Sequence, residues 1–173
     1  KLLTYAEQLD MPIHIHLHET GDEIRGSLAQ HHLRPIQRLQ GLGLLGPSLV
    51  AVHMVHLTPS EMDLVAQQGC HVAHCPSSNL KLASGVAPVA RLLERGVNIG
   101  LGTDGAASNN RLDLFEEMRL AALLAKVASG KAETLPAHQA LRMATLNGAR
   151  ALGKEALFGS LVRGKAADIV AVD

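Results

Sequence analysis

The 173 residues predict an α/β fold built on a parallel sheet, with the dimensions of half a (β/α)8 barrel. Three observations carry this. Short apolar runs of strand length begin near residues 13, 49, 71 and 97. Segments with helical spacing of apolar residues alternate with them. The repeat is close to a βα unit, about 30 residues in a barrel of about 250. An open doubly wound sheet is the competing architecture, but no GxGxxG or P-loop string follows any strand, so its usual nucleotide sites are missing.

Residues 1–10 place Leu2, Leu3, Ala6 and Leu9 at helical spacing, and Met11-Pro12 ends that helix. Residues 13–19 alternate, with Ile13, Ile15 and Leu17 on one face and His14, His16 and His18 on the other. Residues 20–41 carry helical patterning around 24–28 and 36–42, and the glycine-rich turn at 41–46 lacks the lysine of a phosphate loop. Residues 49–57 form the second strand candidate, containing His53 and His56. Thr58-Pro59-Ser60-Glu61 starts a helix reaching about Gln68. A third strand is expected at 71–75, a loop at 76–85, and a short helix at 86–95 closed by Gly96. The fourth strand is expected at 97–103. Residues 112–128 give the strongest helix, with Leu112, Phe115, Met118, Ala122 and Ala125 as its expected core stripe. Core burial is the expected use of that helix and a homo-oligomer interface the alternative. Residues 136–152 read as helix interrupted near 145–148, and residues 168–172 as a strand.

Composition narrows the function classes. Sixteen basic and sixteen acidic residues cancel, so no basic field exists to hold a phosphate backbone, and 2% aromatics leave few stacking platforms for single strands. No nucleic-acid partner is expected. No apolar run approaches the roughly 18 residues of a membrane span, so no membrane partner is expected and the location is read as cytoplasmic. Cys70 and Cys75 are not a disulfide framework. The opening KLLTYAEQLD has the pattern of a helix already under way, and the chain is read as a piece of a longer protein.

The unusual count is ten histidines. Residues 97–101 are apolar, then Gly102-Thr103-Asp104-Gly105 breaks the run, as where a buried strand ends at a site. His16 and Glu19 fall near the carboxyl end of the first strand, His53 near that of the second, and Asp104 near that of the fourth. In a barrel those ends converge on one face, and two imidazoles with two carboxylates suit a divalent metal such as Zn²⁺, Fe²⁺ or Mn²⁺. Each residue also has a plainer use. Asp104 can start a turn or cap the next helix, Glu19 can cap a helix at 20–22, and His14 or His71 can be core residues held by hydrogen bonds.

Four segments together resemble the amidohydrolase superfamily: His-Ile-His-Leu-His-Glu-Thr at 14–20, Ala-Val-His at 51–53, His-Cys-Pro-Ser-Ser-Asn-Leu-Lys-Leu at 74–82, and Gly-Thr-Asp-Gly-Ala-Ala-Ser-Asn-Asn at 102–110. Within it they are most similar to the 5′-methylthioadenosine/S-adenosylhomocysteine deaminases. The resemblance implies the second half of a metal-dependent hydrolase barrel over residues 1–158. Residues 159–173, containing Gly-Ser-Leu and Gly-Lys-Ala-Ala-Asp-Ile-Val, would start the return into a small β-sandwich. It selects His16 as a metal ligand, because the family's glutamate follows three residues later, a choice that alternation among three histidines leaves open. His53 is implied as the histidine over the metal-bound water and substrate. Asp104 is implied as a metal ligand that takes the water's proton, and Glu19 as the acid that protonates ring N1. Glu19, His53 and Asp104 would therefore all contact substrate, a small purine nucleoside. His18 receives no role, and a substrate contact by Lys81 has little support.

The family's first strand supplies a His-x-His pair to the metal, and no strand precedes Ile13 here. The intact protein is expected to be active and the isolated piece inactive. Guanine-type and other purine deaminases and triazine chlorohydrolases share the constellation and are the nearest alternatives. A non-catalytic binding barrel is the alternative of a different class.

Overall fold

A computed structural model describes residues 2–172. Lys1 of the expected first helix, and Asp173 of the expected sandwich segment, lie outside them. In chain order the elements are α1 (Leu2–Leu9), β1 (Ile13–Leu17), α2 (Gly21–His31), α3 (Pro35–Gly41), β2 (Leu49–His53), α4 (Pro59–Gln67), β3 (His71–His74), α5 (Pro76–Lys81), α6 (Val89–Glu94), β4 (Ile99–Leu101), α7 (Ala106–Asn109), α8 (Leu114–Ser129), α9 (Ala137–Ala144) and α10 (Leu146–Ala151). The four strands form one parallel sheet in sequential order, β1-β2-β3-β4. This is the arrangement successive βα units of a barrel make, with helices between neighbouring strands.

Register brings the site-bearing tips level. Leu17 of β1 lies opposite His53 of β2, and His74 of β3 opposite Leu101 of β4. All five residues of β2 are buried, the signature of a parallel strand covered on both faces. Met62 and Val65 of α4, Leu92 of α6 and Ala121 and Ala125 of α8 join Leu49, Ala51, Val72 and Ile99 in the core. At the other end of the chain α10 packs on β4. A Cβ on Gly100 would sit 3.2 Å from Cα of Gly148, so the bare backbone permits that approach. Gly100→Ala is expected to cost about 1–3 kcal/mol by overpacking, read as a lower midpoint in chemical unfolding; an unchanged midpoint would show that α10 yields freely.

Four expectations need correction. Residues 76–85 are not all loop: Pro76–Lys81 is helical, with proline in the first turn and the Ser77 amide accepted by Glu117 from α8, a partner no local pattern reveals. The predicted stripe of α8 is rotated. Glu117, Ala121 and Ala125 are its buried residues, whereas Leu112 and Phe115 are 52% and 57% exposed. Burying a carboxylate with small residues lets α8 approach closely, a face that an apolar count misses. Residues 168–172 form no strand, because no neighbouring strand pairs with them among the described residues. His18 does not share the face of His14 and His16: β1 stops at Leu17, and the left-handed backbone of His18 (φ 54°) sends its ring into the interior. Among the described residues no helix is long and apolar enough to cross a membrane.

Candidate active site

Each predicted site residue sits where a strand ends, and the fold brings all four together around one buried imidazole. His53 is fully buried at the tip of β2. Its Nε2 lies 3.3 Å from Nδ1 of His16, 3.7 Å from a Glu19 carboxylate oxygen and 4.0 Å from Oδ2 of Asp104. Nε2 of His16 lies 4.0 Å from the other Asp104 oxygen, Oδ1. The two imidazoles meet edge to face, with centroids 4.7 Å apart.

Backbone strain marks the same tips. His18, His53 and Asp104 hold φ of 54°, 73° and 58°, in the left-handed region that non-glycine residues avoid. Such conformations cost of order 1–3 kcal/mol each and persist where surrounding structure over-determines them. The surroundings do so here. The Glu23 carboxylate accepts the amides of His18 and Glu19 at 2.9 and 2.7 Å, locking the turn after β1. The His18 ring lies 3.0 Å through Nδ1 from the His56 carbonyl and accepts the Ile36 amide at Nε2, 3.1 Å. Both bonds are satisfied by the neutral tautomer with its proton on Nδ1. Those bonds tie the end of β1 to the segment after β2 and to the first turn of α3.

Nδ1 of His53 lies 2.8 Å from Oδ1 of Asn79, itself buried on α5. A proton on Nδ1 donated to that oxygen leaves Nε2 to face the other three residues. Asp104 is held as firmly. The hydroxyls of Ser78 and Ser108 both donate to its Oδ2, at 2.6 and 2.7 Å, which leaves Oδ1 toward His16. Burial pushes the Asp104 carboxyl up, but those two hydroxyls, the Gly105 amide and the nearby His53 outweigh it and hold the group down at about 2. It is a carboxylate at any working pH.

The plainer uses of these residues are thereby answered. Gly105, not Asp104, is the N-cap of α7, and Thr20, not Glu19, caps α2 through its hydroxyl. Lys81 donates to the Ala107 carbonyl and the Asn110 side chain, an internal tie between α5 and α7. Sequence reading missed Asn79, Ser78, Ser108 and Glu23. Thr20-Gly21-Asp22-Glu23 matches the S/T-x-x-E spacing of a capping box and flags Glu23. The two serines and Asn79 lie inside the motifs already singled out, but only the fold shows what they touch.

The donor set fits a divalent metal. Two atoms bound to one Zn²⁺ at about 2.0–2.2 Å lie at most about 4.4 Å apart, and the His16 Nε2–Asp104 Oδ1 separation of 4.0 Å falls inside that limit. Donor atoms of His16, Glu19 and His53 lie within 4.8 Å of one another, a looser spacing than that limit. The 59% exposure of the His16 side chain leaves room for ligands from elsewhere.

His74, at the tip of β3, is not part of this cluster, but it is fully buried. Burial first, then the charge of His53, pull its imidazole down to about 4. Because the unfolded chain binds this proton near 6.5 and the folded chain only near 4, stability is complete above about 6.5. It declines as pH falls through 6.5 toward 4. At pH 5 the loss from His74 alone is about 2 kcal/mol, measurable by urea unfolding at pH 5 and 7.5. A flat profile would show that the ring takes up its proton in the fold.

The amidohydrolase family model matches residues 1–173, and the chain belongs to that family. Its four-stranded parallel α/β sheet matches part of the barrel of that family's structures. Over all 173 residues it is 51% identical to a 5-methylthioadenosine/S-adenosylhomocysteine deaminase of Teredinibacter turnerae, covering 39% of that protein. It is 53% identical over 165 residues, 95% of the chain, to a 5′-deoxyadenosine deaminase of Methanothermobacter thermautotrophicus, covering 38% of it. Among solved structures it is similar to an adenosine deaminase of Xanthomonas campestris with bound zinc. There the TM-score is 0.93 and the identity 53%, over 95% of this chain and 38% of that one. The chain thus spans about 39% of the length of the curated relatives it matches.

Proposed function

We propose that the protein containing this chain is a metal-dependent aminohydrolase. It would convert 5′-methylthioadenosine or S-adenosylhomocysteine to the inosine analogue, releasing ammonia. The observation that carries the reading is the convergence of Glu19, His16 and Asp104 within 4.0 Å of His53 Nε2. The names of the relatives supply the substrate class.

His16 and Asp104 would hold the ion in this half of the protein. A bound Zn²⁺ supplies Lewis acidity, lowering the pKa of water toward about 7. Asp104 takes a proton from the water whose oxygen adds to C6 of the adenine ring. Glu19 delivers a proton to ring N1, so negative charge does not build there. His53, oriented by Asn79, hydrogen-bonds the added oxygen. The proton taken by Asp104 passes to the exocyclic amino nitrogen. The added hydroxyl returns a proton to Glu19 as the C6 carbonyl forms, and the C6–N bond breaks to release ammonia. Such positioned proton transfers typically contribute about 10²–10⁴-fold each.

The same reading divides the chain into barrel at 1–158 and the start of the sandwich at 159–173, and places the protein in the cytoplasm. Phe115, Leu123 and Val127 on the outward side of α8 are exposed and are where a homo-oligomer contact would form. The test is ammonia release from both substrates by the zinc-loaded protein expressed from its whole reading frame. A kcat/KM at or above roughly 10⁴ M⁻¹s⁻¹ is expected for at least one. Zinc binding without ammonia from either would overturn the substrate and direct the search to guanine and triazines.

A further inference from the structure

Glu117 of α8 is fully buried, and among the described residues no Lys, Arg or His lies within ion-pair distance of its carboxylate. A buried carboxylate without a cation needs strong donors and is costly to keep. Its donors come from two separate segments. Oε2 accepts the Ser77 amide at 3.0 Å, in the first turn of α5. Oε1 accepts Nδ2 of Asn109 at 2.6 Å, at the end of α7, and that same amide nitrogen donates to the Thr103 carbonyl at 2.7 Å. The sequence neighbours of these two donors are Ser78 and Ser108, whose hydroxyls both grip Oδ2 of Asp104.

We propose that Glu117 is a positioning residue: its two carboxylate oxygens clamp α5 to α7, fixing the Ser78 and Ser108 hydroxyls and hence the direction in which Asp104 presents Oδ1. Neither serine hydroxyl can choose its place alone, because α5 follows β3 and α7 follows β4. Lys81 ties the C-terminal end of α5 to α7 directly, and at the serine-bearing turns the link is the Glu117 side chain of a third element, α8. A carboxylate suits the task better than an amide, since both partners are donors and a glutamine would turn its own NH₂ against one of them. The proposal rests on the assignment of Asp104 as a metal ligand.

The test is a double-mutant cycle in the protein from the whole reading frame, comparing Glu117→Gln, the Ser78→Ala/Ser108→Ala pair and the triple variant. Zinc affinity is read by chelator competition and kcat and KM by ammonia release. Glu117→Gln is expected to weaken zinc binding and lower kcat about 10–100-fold, with KM changed less than about threefold. In the serine-less background the same substitution should add almost nothing, because its route to Asp104 is already cut. Additive losses, or unchanged zinc affinity in Glu117→Gln, would overturn the clamp. Should Glu117→Gln fail to fold, Asn109→Ala removes one arm at a half-buried position and carries the same cycle. The zinc readout involves no substrate. A non-additive zinc cycle without ammonia release keeps the clamp and overturns the substrate, and ammonia release with an additive cycle does the reverse.

Discussion

Asp104→Asn is expected to lower kcat/KM by about 10²–10⁴-fold and to weaken zinc binding by at least about tenfold, while leaving the fold intact. The fold survives because asparagine is among the few residues that tolerate the left-handed conformation found here, φ 58°. Chemistry fails for a geometric reason. Oδ2 of Asp104 takes both serine hydroxyls, and Oδ1 is left opposite His16 Nε2. An asparagine that keeps its oxygen on the hydroxyls turns an NH₂ toward His16, with no lone pair for a metal and no base for a water. One that flips sets its NH₂ against two hydroxyls that donate in the native site. Isothermal zinc titration together with steady-state kinetics measures both losses. Near-normal zinc affinity would remove Asp104 from the ligand set.

Glu19→Gln separates the two carboxylates. It is expected to lose about 10²–10⁴-fold in kcat while zinc affinity stays within about threefold, because the role assigned to Glu19 is proton delivery. Glutamine keeps the side-chain volume and an oxygen able to accept the Ser84 hydroxyl, placed 3.4 Å from Glu19 Oε1. It cannot cycle a proton to the ring nitrogen. Since a Glu19 oxygen lies only 3.7 Å from His53 Nε2, a role as a metal ligand is the clear competitor. A large fall in zinc affinity for Glu19→Gln would establish that competitor.

The sheet was legible in the sequence because buried parallel strands are short apolar runs at regular intervals, and local chemistry alone writes that pattern. The candidate site residues Glu19, His53 and Asp104 could be singled out because they stand near strand tips, whereas the choice of His16 came from the family resemblance. Alternation went no further: it grouped His14, His16 and His18, and the fold separates His18 through one left-handed residue after Leu17. The residues that orient the site were not legible. Asn79 reaches His53 across 26 positions, Ser78 reaches Asp104 across 26, and Glu117 reaches Ser77 across 40. Such contacts exist only after the units stack, so no periodicity encodes them. The misplaced face of α8 has the same origin, since a buried glutamate reads as a surface residue until its partners on α5 and α7 are known.

Removal and return of metal test the central claim most directly. The protein from the whole reading frame would be stripped with a chelator, then titrated with zinc while ammonia release from 5′-methylthioadenosine is followed. Activity should vanish in the stripped protein and return in proportion to zinc, saturating at one ion per chain, with Asp104→Asn failing to recover at the same zinc concentration. Turnover that survives complete stripping, or that returns equally well in Asp104→Asn, would contradict the assignment of these strand tips as one metal-dependent aminohydrolase centre.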